Sequence, residues 1–122
     1  PSASRVEGHP MTRFMHAASA ATGRPFVDYA ALHRWSTTER QAFWSLLWDH
    51  VGIVGEKGET ALLDGETMRQ DRFFPGARLN FAENLLARTG SDDALVFRGE
   101  DRVSRRWSWD ELRATVSRLQ QA

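Results

Sequence analysis

Ala94-Leu-Val-Phe-Arg98, Gly99-Glu-Asp-Arg102, Val103-Ser-Arg-Arg-Trp107 and Ser108-Trp-Asp-Glu-Leu112 form one continuous stretch that decides the fold class of this 122-residue chain. Its first five residues favour extended backbone and read as a strand. A glycine and three charged residues then read as a hairpin turn, and Val103 to Trp107 as the returning strand. Ser108 stands three residues before Glu111, the spacing of a capping box. Trp109, Leu112, Val116 and Leu119 follow at helical intervals. A hairpin and helix behind a helical first half predict an α+β chain.

Working back toward the N-terminus, Asn80 and Glu83 repeat the capping spacing. They open a helix that should turn Phe81, Leu85 and Leu86 inward and end near Gly90. Residues 59–79 lack a period, with Ala61–Leu63 as a short extended piece and Asp64-Gly65 and Pro75-Gly76 as turns. So long an irregular stretch is uncommon in a compact domain. It predicts a segment draped over another part of a larger structure. Ser36 and Glu39 form a further capping pair, opening a helix to about Val51 with the stripe Ala42, Phe43, Leu46, Leu47 and Val51. Trp44 and Trp48 sit four apart on an adjoining face. Asp28 caps a short helix carrying Tyr29, Leu32 and Trp35. Met11, Phe14, Met15 and Ala18 mark an earlier helix, stopped by Gly23 with Pro25 beyond. Residues 1–10, small and polar, are expected as a disordered or extended lead-in. At the other end Ala122 follows no Gly, Asn or Pro stop, which predicts truncation within a longer chain.

Composition narrows the function. Sixteen basic and sixteen acidic residues cancel, which argues against a nucleic-acid binder, because that class needs a basic surplus to displace counterions. No apolar run approaches the roughly 20 residues of a membrane span, so no membrane partner is expected. The chain has no cysteine, which removes disulfides, thiol catalysis and cysteine-ligated metals. A reducing, cytoplasmic location is the natural default. Five Trp and seven Phe are a heavy aromatic load that needs covering.

The search for chemistry returns little. Gly55-Glu-Lys57-Gly58 superficially resembles a nucleotide loop. A phosphate loop, however, needs a Gly separated by four residues from Gly-Lys, then Ser or Thr. Here Glu56 splits Gly55 from Lys57 and Gly58 replaces the hydroxyl, so a glycine-rich connector is the reading. His9, His16, His33 and His50 lack the close pairing of helical zinc sites. No Gly-x-Ser-x-Gly elbow occurs. The carboxylate pairs Asp92/Asp93, Glu100/Asp101 and Asp110/Glu111 lie at turns and first helical turns, where they solvate and complement the helix dipole. Arg102, Arg105 and Arg106 beside Trp107 and Trp109 form an aromatic–basic mixture of the kind that binds single strands. Nearby acids nearly cancel its field. No catalytic, cofactor-binding or metal-binding residue is assigned. The alternative to an enzyme is a protein-docking module using the Trp44/Trp48 face.

A resemblance adds what the residues alone do not. Phe43-Trp44, Trp48-Asp-His-Val-Gly52, Glu59-Thr-Ala-Leu-Leu-Asp-Gly65, Phe73-Phe-Pro-Gly-Ala-Arg-Leu-Asn-Phe-Ala-Glu-Asn84, Ala94-Leu-Val-Phe-Arg-Gly-Glu100 and Ser108-Trp-Asp-Glu-Leu112 stand in order. Together with Met11-Thr-Arg-Phe-Met15 and Gly23-Arg-Pro-Phe26, the chain resembles the N-terminal region of the acetoacetyl-CoA synthetases. The 73–84 segment is its most specific part. The resemblance implies an acyl-adenylate-forming ligase that uses ATP, Mg²⁺ and CoA. It further implies that residues 11–92 are a helical N-terminal cap and that 93–122 begin the AMP-binding domain. That family's phosphate loop, its adenine and ribose motifs and its late catalytic Lys lie downstream and have no matching position here. The chain is therefore expected to be inactive alone, its partner being the remainder of the same polypeptide. Arg78, Asn80 and Asn84 are read as structural, Asn80 as a cap and Arg78 as an ion-pair or backbone partner.

Overall fold

Residues 2–100 and 102–122 are described by a computed structural model. They divide into two units, one reaching to Leu79 and one running from Asn80 to Ala122.

The first unit is helical, and it begins earlier than expected. Where a frayed lead-in is predicted, residues Ala3–Glu7 form a short helix, α1. Pro1 lies outside the described residues. The Thr12 hydroxyl donates to the Val6 carbonyl at 2.6 Å and holds α1 to the next helix. That helix, α2 (Pro10–Thr22), starts on a proline whose missing N–H is no loss at a first turn. It ends at Gly23, whose φ of 70° and N–H bond to the Ser19 carbonyl close the last turn. Asp28 caps α3 (Tyr29–Thr38) by accepting the Ala31 N–H at 2.8 Å. Helix α4 covers Arg40–Val51.

The Ser36/Glu39 capping box does not form. Ser36 lies inside α3, its hydroxyl donating back to the His33 carbonyl, a local alternative open to Ser and Thr. Glu39 is the N-cap residue of α4 but makes no side-chain cap. Its carboxylate is taken by Arg24, in two bonds of 2.5 and 2.6 Å.

Phe14 and Ala18 of α2, Phe26, and Leu32 and Trp35 of α3 form the core, with Phe43, Leu46 and Leu47 of α4 packed against it. Phe43 meets the rings of Phe14 and Trp35 edge-on, at 5.7 and 5.6 Å, the favoured aromatic geometry. Val51, expected on the inward stripe, is exposed, whereas Trp48 is the buried residue of α4.

The irregular stretch after α4 folds back on α4 itself. Strands β1 (Leu62–Leu63) and β2 (Arg72–Phe73) pair antiparallel. Ala61 and Leu62 are buried, and the Phe74 ring lies 4.7 Å from that of Trp48. Among the described residues this segment's partner is a helix of its own unit.

The second unit holds α5 (Phe81–Leu85), β3 (Asp93–Arg98), β4 (Ser104–Ser108) and α6 (Trp109–Gln120). Strands β3 and β4 form the expected hairpin, pairing Leu95 with Trp107 and Phe97 with Arg105. The Gly99–Arg102 turn includes Asp101, which lies outside the described residues. The Ser108/Glu111 capping box is complete in both directions. Helix α5 stops at Leu85, short of Gly90. Its Phe81 and Leu85 are 73% and 55% exposed, not inward. The units separate at 79/80, and the loop after α5 is tied to α6. The Asp110 carboxylate accepts the Gly90 N–H, and Arg113 donates to the Leu86 carbonyl. Helices with two small antiparallel sheets make the chain α+β, as the sequence predicts.

Candidate functional site

Each sequence candidate can now be placed. Lys57, the sole lysine, donates to both Asp49 carboxylate oxygens at 2.8 and 2.6 Å and to the Ser45 hydroxyl at 3.1 Å. The ammonium is committed to α4, so the loop around it is a strap. Antiparallel backbone bonds between Glu56 and Arg78, at 2.8 and 2.9 Å, hold the strap's far side. The bridge brings Gly55 so close to the other strand that a Cβ there would lie 2.7 Å from Leu79 Cβ and 2.8 Å from the Arg78 carbonyl oxygen.

Within the 73–84 motif, Phe74, the Arg78 backbone, Asn80 and Asn84 make local structural contacts. Phe74 adopts φ 44°, a left-handed conformation that costs a non-glycine residue about 1–3 kcal/mol. Three contacts enforce it: its N–H to the Ala61 carbonyl, its carbonyl to the Ala77 N–H, and its ring on Trp48. Arg78 serves through its backbone, as just described. Asn80 caps α5, its side-chain oxygen accepting the Ala82 and Glu83 N–H groups at 2.9 and 3.3 Å. The Asn84 amide donates to the Asn80 carbonyl at 3.0 Å. The Trp44/Trp48 face is covered by the chain's own Phe73 and Phe74, which removes it as a free docking surface.

Of the four histidines, His33 and His50 line a common cleft. His9 caps α2 through Nδ1, His33 lies 5.8 Å from the Tyr29 ring, and His50 lies 5.0 Å from the Phe14 ring. Among the described residues no three His, Asp or Glu side chains cluster as a metal site would need. The carboxylate pairs are divided among other tasks: Asp93 pairs with Arg106, Asp110 holds Gly90, and Glu111 completes the α6 cap.

Two ion-pair systems were not legible in the sequence. Arg40 bonds Asp64 at 2.6 Å and also pairs with Asp71, thirty-one residues away. Asp71, with a side chain only 4% exposed, also accepts the Gly65 N–H at 3.0 Å. That backbone bond, followed by Arg40, holds its carboxyl below the usual range. Arg24 does the same for Glu39. Both groups bind protons less readily folded than unfolded. Their contribution is therefore complete above the ordinary carboxylate pKa values, about 3.9 for Asp and 4.3 for Glu. It is lost as pH falls through the lower folded values. The melting temperature of the helical unit should thus fall on acidification below about pH 4.5, and Asp71→Asn should blunt that fall. Thermal melts at 222 nm between pH 7 and pH 3 read this directly; identical pH profiles for the two proteins would refute the role given to Asp71.

A cleft of about 550 Å³ opens between α2, α3 and α4 over Phe14, Leu32, Phe43 and Leu47. Its lining includes His33 and His50 but no carboxylate, Lys or Arg. It can hold an apolar body, and its polar groups are the two imidazoles and the Tyr29 and Ser36 hydroxyls.

Residues 29–85 match the family described as acetyl-coenzyme A synthetase N-terminus. The acetoacetyl-coenzyme A synthetase of Rhizobium meliloti (strain 1021) is 61% identical over 117 residues, covering 96% of this chain and 18% of that protein. A malonamoyl-CoA synthetase of Penicillium aethiopicum is 35% identical over 118 residues, covering 90% and 16%. The solved acetoacetyl-CoA synthetase from Streptomyces lividans superposes with a TM-score of 0.80 at 32% identity, over 99% of this chain and 20% of that one. The chain spans about a fifth or less of the length of these relatives.

Proposed function

From the premise that this chain matches the N-terminal region of the acetoacetyl-CoA synthetases, we propose that it is the N-terminal part of an ATP-dependent acetoacetate–CoA ligase. The whole protein would convert acetoacetate, ATP and CoA to acetoacetyl-CoA, AMP and pyrophosphate through an acyl-adenylate. The observation that carries this reading is 61% identity across 96% of the chain.

The region's own part is scaffolding. Adenylate formation demands a metal and preorganised cationic donors around the reacting phosphate. The residues present do not fit a nucleotide–magnesium site. Lys57 is spent on Asp49, Arg40 on Asp64 and Asp71, and Arg24 on Glu39. Among the described residues no acidic cluster stands ready for a cation. ATP, Mg²⁺ and CoA are therefore assigned to the rest of the ligase, and the partner of this region is that remainder. A cytoplasmic location follows from the supply of ATP and CoA there. No helix of the described residues is long and apolar enough to cross a membrane.

The test is acetoacetate-dependent exchange between ATP and pyrophosphate. The polypeptide encoded by the whole reading frame should catalyse exchange and form acetoacetyl-CoA, with turnover on the order of 1–10³ s⁻¹. The 122-residue chain should show neither. Exchange by the short chain would overturn the scaffolding role, and a long polypeptide inert toward acetoacetate would overturn the substrate.

A further inference from the structure

We propose that the cleft between α2, α3 and α4 is a small-molecule site, and that its ligand is a monocarboxylic acid with an apolar body. The inference goes beyond the ligase reading and does not depend on it. The floor of the cleft is finished. Phe14 and Leu32 are 6% and 3% exposed, so the helical unit has covered its own core beneath it. Above them remains a hollow of about 550 Å³, within the span of about 300–1,000 Å³ usual for ligand pockets. Met11 and Val51, 40% and 57% exposed, carry the apolar lining outward to solvent. A hollow walled by three helices of one unit encloses a small apolar body better than a flat patch would.

The polar groups select the head of the ligand. His33, His50, Tyr29 and Ser36 are the polar side chains of the lining. Each imidazole is packed by an aromatic ring: Tyr29 lies 5.8 Å from His33, and Phe14 lies 5.0 Å from His50. Such packing orients the imidazoles without using their nitrogens. Among the described residues none hydrogen-bonds either imidazole or the Tyr29 hydroxyl. An imidazole keeps at least one N–H in either protonation state, and a phenol has one O–H. The cleft therefore presents donors with no protein acceptor. The Ser36 proton is already given to the His33 carbonyl. The lining has no carboxylate to pair with a cation, and no Lys or Arg to neutralise a phosphate chain. The complement to these donors over an apolar floor is a head that only accepts and carries a single charge. An ionised carboxyl is that group.

The test uses the polypeptide encoded by the whole reading frame, labelled with carbon-13 at its methionine methyl groups. Met11 lines the cleft. Met68, 86% exposed and outside the lining, is the control. Met11→Leu and Met68→Leu assign the two signals. The probe is hydrocinnamate; hydrocinnamamide and phenylpropylamine keep its body and change its head. Hydrocinnamate should move the Met11 signal to saturation, with a Kd of about 1 mM or below, and leave Met68 in place. The amine should bind about 10-fold more weakly or worse, because it brings donors to donors. The amide should fall between the two. His33→Phe and, separately, His50→Phe keep a ring in place and remove its nitrogens. Each should weaken the acid by about 10-fold and leave the amine unchanged. Should either variant disturb the Met11 signal of the free protein, Tyr29→Phe decides instead, with an expected loss of about 3-fold or more.

A Met11 signal that stays still up to about 10 mM acid overturns the inference, and so does a cleft filled by the rest of the polypeptide, which gives the same result. Equal binding of the three heads overturns it, because the cleft would then be a plain apolar surface. Undiminished acid binding in all the variants overturns it too, since the acid would then bind elsewhere and reach Met11 indirectly. Ligation of acetoacetate is assayed separately: its absence fails the ligase reading and leaves a positive result here standing.

Discussion

Replacing Trp35 with alanine is expected to cost the helical unit about 3–5 kcal/mol, the range for deleting a buried large aromatic. Trp35 is 4% exposed and packs between Phe26 at 5.1 Å and Phe43 at 5.6 Å. It therefore joins α3 to both the loop before it and the helix after it. Folded domains are stable by about 0.05–0.15 kcal/mol per residue, so a loss of this size removes much of what a small unit has. Urea titration followed by circular dichroism at 222 nm gives the number. Met68→Ala is the control. That side chain is 86% exposed, and exposed substitutions of this kind stay within about 0.5 kcal/mol. A Trp35→Ala loss no larger than the control's would mean that the three-helix core is not held as described.

Gly55→Ala should be the second most damaging change, and for a different reason. The added Cβ meets the Arg78 carbonyl oxygen at 2.8 Å and Leu79 Cβ at 2.7 Å, in a backbone with φ 155°. Backbone cannot swing aside as the end of a flexible side chain can. Relief requires breaking the Glu56–Arg78 bridge or shifting the strap. The expected loss is about 1–3 kcal/mol, as for overpacking in an interior. Gly23→Ala is the informative comparison, because Gly23 also has positive φ, at 70°, but open space around it. That change should cost about 1 kcal/mol, mainly backbone strain. Hydrogen exchange at the Glu56 and Arg78 amides should accelerate in Gly55→Ala and not in Gly23→Ala. If the two variants behave alike, the close approach of the strap does not constrain the fold.

What the sequence revealed divides along the range of the interactions. Helix α6 was legible to its cap, because Ser108 and Glu111 satisfy one another within one turn. The Gly23 stop and the Asp28 cap are equally local. The same capping spacing failed at Ser36 and Glu39, because Arg24, fifteen residues away, takes the carboxylate. Helix α1 was missed because five residues with none buried leave no apolar period to read. The segment from Gly52 to Leu79 looked structureless because its partners are distant. Leu62 pairs with Phe73, Glu56 with Arg78, and Arg40 with Asp71. No periodicity encodes such pairings. Phe81 and Leu85 were read inward on pattern alone, and the described chain offers them nothing to face. The resemblance to a ligase family was not legible in residue chemistry, since the ion-paired groups here hold the fold. Only the wording of the 73–84 segment and its neighbours pointed to a ligase.

The buried apolar residues of the described chain all lie at or before Leu62, with Phe74 packed on Trp48. During synthesis at about 5–20 residues per second, N-terminal elements fold before later ones exist. The helical unit can therefore settle as it leaves the ribosome, before the hairpin's half-exposed apolar residues emerge. Arg98, Arg105 and Arg106 are interleaved with that hairpin's apolar residues. Charges so placed guard an exposed strand against sticking to a neighbouring nascent chain.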